Sequence, residues 1–346
     1  MKRTFFISFV LLGTGLVFYW NFLGNVFYGD QVLNSNQVAT VATAVEEIQV
    51  VQIPEYVVVT FAGDVMLDRG VKASTKKNFN GDYNELFKNV TIFQNDDISF
   101  LNLEGPVSER GRNVGSKYSF RMDPVVIDTL KSAGVDIVSF ANNHVGDYTV
   151  QAFVDTMNYL GSGGILFTGA GDDYARASEP TVIEKNGIKT CFLGFSDVGP
   201  NWIKATELDP GILLASDPNF ANIIAGAKGK CDALIVSFHW GDEYKPHNTR
   251  QASLAHKAID SGADVVVGHH PHVPQDIEMY NSRPIIYSLG NFIFDQSWSK
   301  PTMQGAVVQM KIYKDGSAKE IKEYTSKQNK FFQIESITEK VTEPKN

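Results

Sequence analysis

The chain is 346 residues long, 43% hydrophobic and 20% charged, with 31 basic and 39 acidic residues for a net charge of −8. No basic stripe interleaved with aromatics runs along it, which excludes a general nucleic-acid surface, and nucleic acid is not an expected partner. Two cysteines, Cys191 and Cys231, cannot build a disulfide framework; the first reading is two buried free thiols, with one bridge between neighbouring strands as the extracellular alternative.

Residues 1–4, Met-Lys-Arg-Thr, precede an uncharged run from Phe5 to Tyr28, and the next charge is Asp30. A helix of that length reaches roughly 36 Å, enough to cross a hydrocarbon layer of about 30 Å. Lys2 and Arg3 favour a cytoplasmic N-terminus with everything after the run outside, and Trp20 and Tyr28 suit the far interface. A cleaved signal peptide competes, but its apolar core is usually about 7–15 residues and ends at small residues. Here Phe22, Leu23, Val26, Phe27 and Tyr28 stand in that place. Residues 5–28 are therefore expected to be an uncleaved signal anchor. The protein would be single-pass in the cell membrane, with its C-terminal domain extracytoplasmic. Residues 29–54, a mixture of Asn, Gln, Val, Ala and Thr without strong periodicity, read as a stalk.

Beyond it, apolar runs alternate with helical segments. Strands are expected at 56–62, 98–101, 136–140, 190–195, 233–238, 263–267, 284–289 and 307–313, with helices at 125–133 and 252–261. Several strands are nearly all apolar, as in sheets covered on both faces. The segments KSAGVDIVSFANNH (131–144) and IDSGADVVVGHHPH (259–272) share one pattern of helix, glycine turn, short strand and polar loop. The domain is expected to span 55–315, with a polar Lys/Glu-rich C-terminal extension at 316–346.

Five strands end in Asp, Glu, Asn or His, and the C-terminal ends of strands are where open α/β sheets gather ligands. Of seven histidines, five (His144, His239, His269, His270 and His272) directly follow predicted strands. Together with Asp64, Glu104 and Asn143 they form a donor set suited to a divalent ion: carboxylates neutralise charge, imidazoles donate nitrogen and an amide oxygen adds a weaker ligand. His270 and His272, separated by Pro271, are expected to send both rings to one centre from an extended loop. On that alternation His269 points elsewhere. Asn291 reads as a loop-holding or substrate-contacting residue, and Asp242, Glu243 and Tyr244 as shaping a substrate mouth or as solvated loop.

Six segments in order, FAGDVMLDRG, LNLEGPVS, FANNHVGDYT, FHWGDEY, GHHPHVPQ and YSLGNFIFDQ, resemble the signatures of the poly-gamma-glutamate capsule biosynthesis (CapA-like) family, relatives of the calcineurin-like metallophosphoesterases. The resemblance covers about Tyr56 to Val308. It implies a four-layer α/β fold, two packed β-sheets flanked by helices, after the one transmembrane helix. It also implies loops holding one or two divalent ions, with Mn, Zn, Fe and Mg not distinguished. Asp64, Glu104, Asn143, His239, His270 and His272 match the metal ligands, and His144 matches the acid or orienting histidine beside the substrate. Ordinary phosphoesterases carry Asp-x-His on the first strand, whereas this chain has Asp64-Val65-Met66. One position is then expected to use Glu104, Asn143, His239 and His270. The other retains Asp64, Glu104 and His272, with Asp68 as a candidate to compensate. Asn102, Glu243, Tyr244 and Asn291 complete the expected substrate or supporting set.

The function implied is membrane-anchored biosynthesis or export of an anionic surface polymer by a metal-dependent, phosphoesterase-like hydrolase. Its expected partners are the cytoplasmic membrane, polymer synthase subunits, and an anionic polymer or phosphorylated substrate. Two alternatives stand beside it: a non-catalytic accessory or scaffold subunit of a membrane synthase, and a module that grips a polyanion through bound metal.

Overall fold

A computed structural model describes residues 9–12, 15–18 and 54–340. Met1–Pro54 and Glu55–Asn346 form separate compact units. In the first unit Phe9–Leu12 pairs antiparallel with Gly15–Phe18, so the eight described residues of the expected helical span are extended. The rest of the 5–28 run, residues 1–4 and the stalk up to Ile53 lie outside the described residues. Among the described residues no helix is long and apolar enough to cross a membrane.

The second unit is a mixed α/β structure whose strands form two large sheets. The first sheet is built on β1 (Tyr56–Val65), β2 (Ile98–Leu103), β3 (Ile137–Ser139) and β4 (Leu166–Thr168), all parallel. The second contains β5 (Thr181–Lys185), β6 (Ile188–Ser196), β7 (Ala233–His239), β8 (Val265–His269), β9 (Ile277–Tyr280) and β10 (Arg283–Ile286). Its order is β9-β10-β8-β7-β6-β5, parallel at the centre with antiparallel edges. The chain then returns to the first sheet through β11 (Asn291–Ile293), which pairs parallel with β1, placing Asn291 opposite Asp64.

Three further strands, β12 (Gln304–Tyr313), β13 (Ala318–Gln328) and β14 (Ile334–Glu339), extend the first sheet antiparallel. The segment expected as a polar extension from residue 316 is therefore largely sheet. Its Lys/Glu content reflects partly solvated strands, since β13 is mostly exposed and half-buried positions.

Alternation within β1 shows how the layers arise. Val57, Val59 and Phe61 face the second sheet, where they meet Phe192, Ile235, Val265 and Val267. Ala62 and Val65 join the opposite core, with Val126, Ile127 and Leu130 from helix α1 (Val126–Ser132). On the far side Cys191, Leu193, Leu234 and Val236 pack against helices α2 (Phe220–Lys228) and α3 (Thr249–Asp260). The result is helix, sheet, sheet, helix, in agreement with the expected layers. Phe100 and Phe192 stack across the two sheets with centroids 5.6 Å apart, a contact worth about 0.5–1.5 kcal/mol beyond its area. Helix α3 starts with a capping box in which the Asn248 and Gln251 side chains satisfy each other's backbone amides.

Cys191 and Cys231 form a disulfide with Cα atoms 5.9 Å apart, correcting the expectation of two free thiols. Leu234 is in register with Cys191 on adjacent parallel strands, so the chain entering β7 carries Cys231 past Cys191.

Candidate metal centre

The polar residues gather where both sheets end. Asp64 lies near the end of β1, and the Gly63 before it is required by contact: a Cβ there would stand 2.0 Å from the Gly290 carbonyl oxygen. This closeness lets the Asp64 amide donate to that oxygen at 2.9 Å and brings Asn291 beside it. Asp64 is fully buried, and Asn102 Nδ2 donates to its Oδ1 at 2.8 Å. Burial opposes its charge, but the neighbouring His269 and His272 imidazoles hold its pKa well below the usual carboxylate range. Glu104, just past β2, is fully buried too, and there burial pushes the pKa well above the usual value.

His270 and His272 do not project from an extended loop. Their φ angles are +97° and +59°, a left-handed backbone that is costly for residues with a Cβ and concentrates at functional sites. The simple alternation therefore fails, and His269 converges as well, with Nδ1 3.3 Å from Asp64 Oδ1. His269 is the residue that sequence reasoning set aside. His272 Nδ1 stands 2.9 Å from Asn291 Oδ1. Asn291 is itself fixed, because its Nδ2 donates to Gln296 Oε1 and the Thr302 carbonyl, both at 3.0 Å. With Nδ1–H donating to Asn291, Nε2 is left facing Glu104 Oε1 at 3.7 Å.

The other expected ligands are placed less uniformly. His239 Nε2 is 2.8 Å from Asn143 Oδ1, and its ring centroid is 4.8 Å from that of His270. Burial, then the charge of a neighbouring histidine, lowers the pKa of both His239 and His270, the latter to about 3. Both therefore stay neutral, as ligands must be. Asp64, Glu104 and His272 bring donor atoms within 4.8 Å of one another, as do Glu243, His270 and His272. Of the expected grouping of Glu104, Asn143, His239 and His270, His239 adjoins both Asn143 and His270. Asp68, the candidate to compensate for Met66, accepts the Arg121 amide at its Oδ2 at 2.8 Å.

These donors fit a cation. Glu104 Oε1, His239 Nδ1, His270 Nδ1 and both ring nitrogens of His269 are buried and have no hydrogen-bond partner among the described residues. Each such group costs about 1–3 kcal/mol unless something satisfies it.

His144 stands over Glu104, with Nε2 3.8 Å from Glu104 Oε1. Its Nδ1 is 2.8 Å from Asp147 Oδ2, and the Phe120 ring packs on it at 4.0 Å. Asp147 was missed in the sequence, although its spacing three residues after His144 is the available signal. Asn142 was also passed over; its Nδ2 donates to Asn102 Oδ1 and to the Leu103 carbonyl, securing the loop that carries Asn143 and His144. A cleft of about 240 Å³ opens onto His144 and His272, lined by Arg69, Tyr118, Phe120, Glu243, Tyr244, Gln296 and Trp298. A larger cavity of about 460 Å³, between β4 and β5, contains none of these residues.

Comparison with known proteins gives the family. Residues 58–296 match the family model described as bacterial capsule synthesis protein PGA_cap. The chain is 35% identical over 265 residues to the "PGA biosynthesis protein CapA" of Bacillus subtilis (strain 168), covering 75% of this chain and 69% of that protein. It is 33% identical over 275 residues to the "Capsule biosynthesis protein CapA" of Bacillus anthracis, covering 76% and 66%. Among solved structures, a hypothetical protein from Thermus thermophilus aligns with a TM-score of 0.48 at 17% identity, over 79% of this chain and 100% of that one. The NAD nucleotidase NadN of Haemophilus influenzae aligns with a TM-score of 0.45 at 12% identity, over 83% and 54%. With the match running from β1 to just past β11, through every strand end that supplies the centre, the chain belongs to the bacterial capsule synthesis (PGA_cap) family.

Proposed function

We propose that the protein is a divalent-metal-dependent hydrolase of the metallophosphoesterase type. It would act in biosynthesis or export of a poly-gamma-glutamate surface polymer, on the outer side of the cytoplasmic membrane and beside synthase subunits. One observation carries the reading: buried carboxylates and imidazoles from both sheets converge with unsatisfied donor atoms beneath an open cleft. The uncharged run at 5–28, long enough to span lipid, supports the anchor.

Asp64, Glu104, His270 and His272 would hold the metal, with Asn143 and His239 alongside. The ion supplies charge neutralisation and polarises a substrate oxygen. Asp147 accepts from Nδ1–H of His144 and so directs Nε2 into the cleft, where it holds the proton that a leaving oxygen needs. Phe120, Tyr244 and Trp298 wall the cleft and limit water around the reacting group.

The test is elemental analysis of the full-length chain purified in detergent, followed by a panel of phosphomonoesters and phosphodiesters with several divalent ions. Near-stoichiometric metal, lost in a folded Glu104→Ala variant together with turnover, is the expected result. A metal-reconstituted protein that binds no ion would overturn the hydrolase reading and leave an accessory role in polymer synthesis.

A further inference from the structure

We infer that the protein seats an extended anionic chain, a polyamide with one carboxylate per repeat, in a lysine-lined groove that leads away from the cleft over the centre, with Lys245 and Lys300 reading its charge. The inference rests on the surface-polymer reading above, not on the metal, and goes beyond it by assigning the residues that take the polymer.

The groove is continuous with the cleft. Tyr244 lines both the cleft beside His144 and a neighbouring groove of about 560 Å³. Pro274 and Pro301 line that groove and a further stretch of about 390 Å³, which Lys300 and Lys340 also line. Its walls are held by the bonds that build the centre. The Tyr244 amide donates to the Pro271 carbonyl at 2.8 Å, between two of the histidines. Gln275 Nε2 donates to the Lys245 carbonyl at 2.8 Å, and the Gln275 amide donates to the Ser288 carbonyl at 3.0 Å. Next to Pro301, Thr302 Oγ1 donates to the Gln296 carbonyl at 2.6 Å, and the Thr302 carbonyl accepts from Asn291, which also contacts His272. A chain seated in the groove therefore lies on segments whose placement is shared with the site.

Charge names the occupant. The protein carries −8 overall, yet beyond Tyr244 the groove is lined by Lys245, Lys300 and Lys340 against a single carboxylate, Asp276. His247 Nδ1 engages Asp276 at 2.7 Å, and Glu323 engages Lys340. Lys245 and Lys300 enter no ion pair among the described residues. Two free cations on separate segments of one groove complement a charge that repeats along a chain. The cleft itself is not where an anion is gathered, because Arg69 is spent on Asp295 and Glu243 adds negative charge. Pro246, Pro274 and Pro301 give the groove apolar rings and no N–H. Methylene groups of a polyamide backbone pack on such a surface, whereas a polyphosphate has none to offer.

Full-length protein in detergent is titrated into a fluorescein-labelled oligomer of γ-linked glutamate, with anisotropy reading the binding. Metal-stripped wild type should bind it, more weakly as salt rises, and the uncharged γ-linked glutamine oligomer should not displace it. Lys245→Glu/Lys300→Glu should bind about tenfold more weakly or worse, with an unchanged far-UV circular dichroism spectrum, while Lys245→Arg/Lys300→Arg should bind as wild type does. No binding by wild type, or a charge reversal without effect, would overturn the groove and leave the metal centre standing. Inorganic polyphosphate that displaces the label at lower concentration than unlabelled glutamate oligomer would overturn the carboxylate assignment. Binding that the charge reversal abolishes, in a protein that takes up no metal, would keep the groove and overturn only the hydrolase reading.

Discussion

Loading the centre with a divalent ion at neutral pH should expel protons, and their number follows from the charges around His272. Burial disfavours a charge on that ring, but the Glu104 and Asp64 carboxylates raise its pKa to about 9. A ligating imidazole must be neutral. At pH 7 the ring is two units below its pKa, so about 1% of metal-free molecules present it neutral and apparent affinity is about 100-fold weaker than above pH 9. The logarithm of the association constant should rise by about one per pH unit between pH 7 and 9. His239 and His270 contribute nothing there because both are held neutral.

Calorimetric titration of Mn(II) at pH 7, in two buffers of different ionisation enthalpy, should show release of about one proton or more per ion. The same shift makes a stability statement. Because the folded pKa of His272 lies above the unfolded value of about 6.5, its contribution is complete below pH 6.5 and is lost as pH rises through about 9; it is worth about 3 kcal/mol at most. Saturating binding at pH 7 with no proton released would refute the assignment of a charged His272 to the metal-free centre.

Asp147→Asn should leave metal content unchanged. On any ester the loaded protein hydrolyses, it should lower kcat about 100-fold or more, since the amide no longer fixes the His144 ring with Nε2 in the cleft; unchanged kcat would remove Asp147 from the positioning role. Reducing the Cys191–Cys231 bridge should lower unfolding free energy by about 3–4 kcal/mol, from the loop entropy of a 40-residue separation. Urea unfolding with and without reductant measures this, and coincident curves would show that the bridge contributes nothing.

Much of the site was legible because strand ends punctuate it. Asp64, Glu104, Asn143, His239, His270 and His272 each follow an apolar run, and parallel strands covered on both faces leave little else for such residues to do. What was hidden lay in backbone conformation. The sequence HHPH suggests alternation, and nothing in it announces the left-handed φ of His270 and His272 that brings His269 to Asp64. Glu243 read as a mouth residue because the bond that ties its loop to Pro271, donated by the Tyr244 amide, is a main-chain link between segments distant in sequence. The strands after residue 316 were masked by Lys and Glu, which are common on partly solvated strands. The disulfide depended on β6 and β7 being neighbours, a fact of sheet order and not of local pattern.

The crossing of β11 from one sheet to the other has a mechanical consequence. Between the sheets lies an apolar layer, and hydrocarbon packing is non-directional. It resists separation better than sliding. Asp64 and Glu104 belong to one sheet, His270 and His272 follow a strand of the other, and Asn291 grips His272 from the strand that crosses. The centre is thus a rivet through a seam. An ion bound there would fix the lateral register of two otherwise slippery surfaces, so that the donor geometry and the alignment of the sandwich would be set by the same few residues.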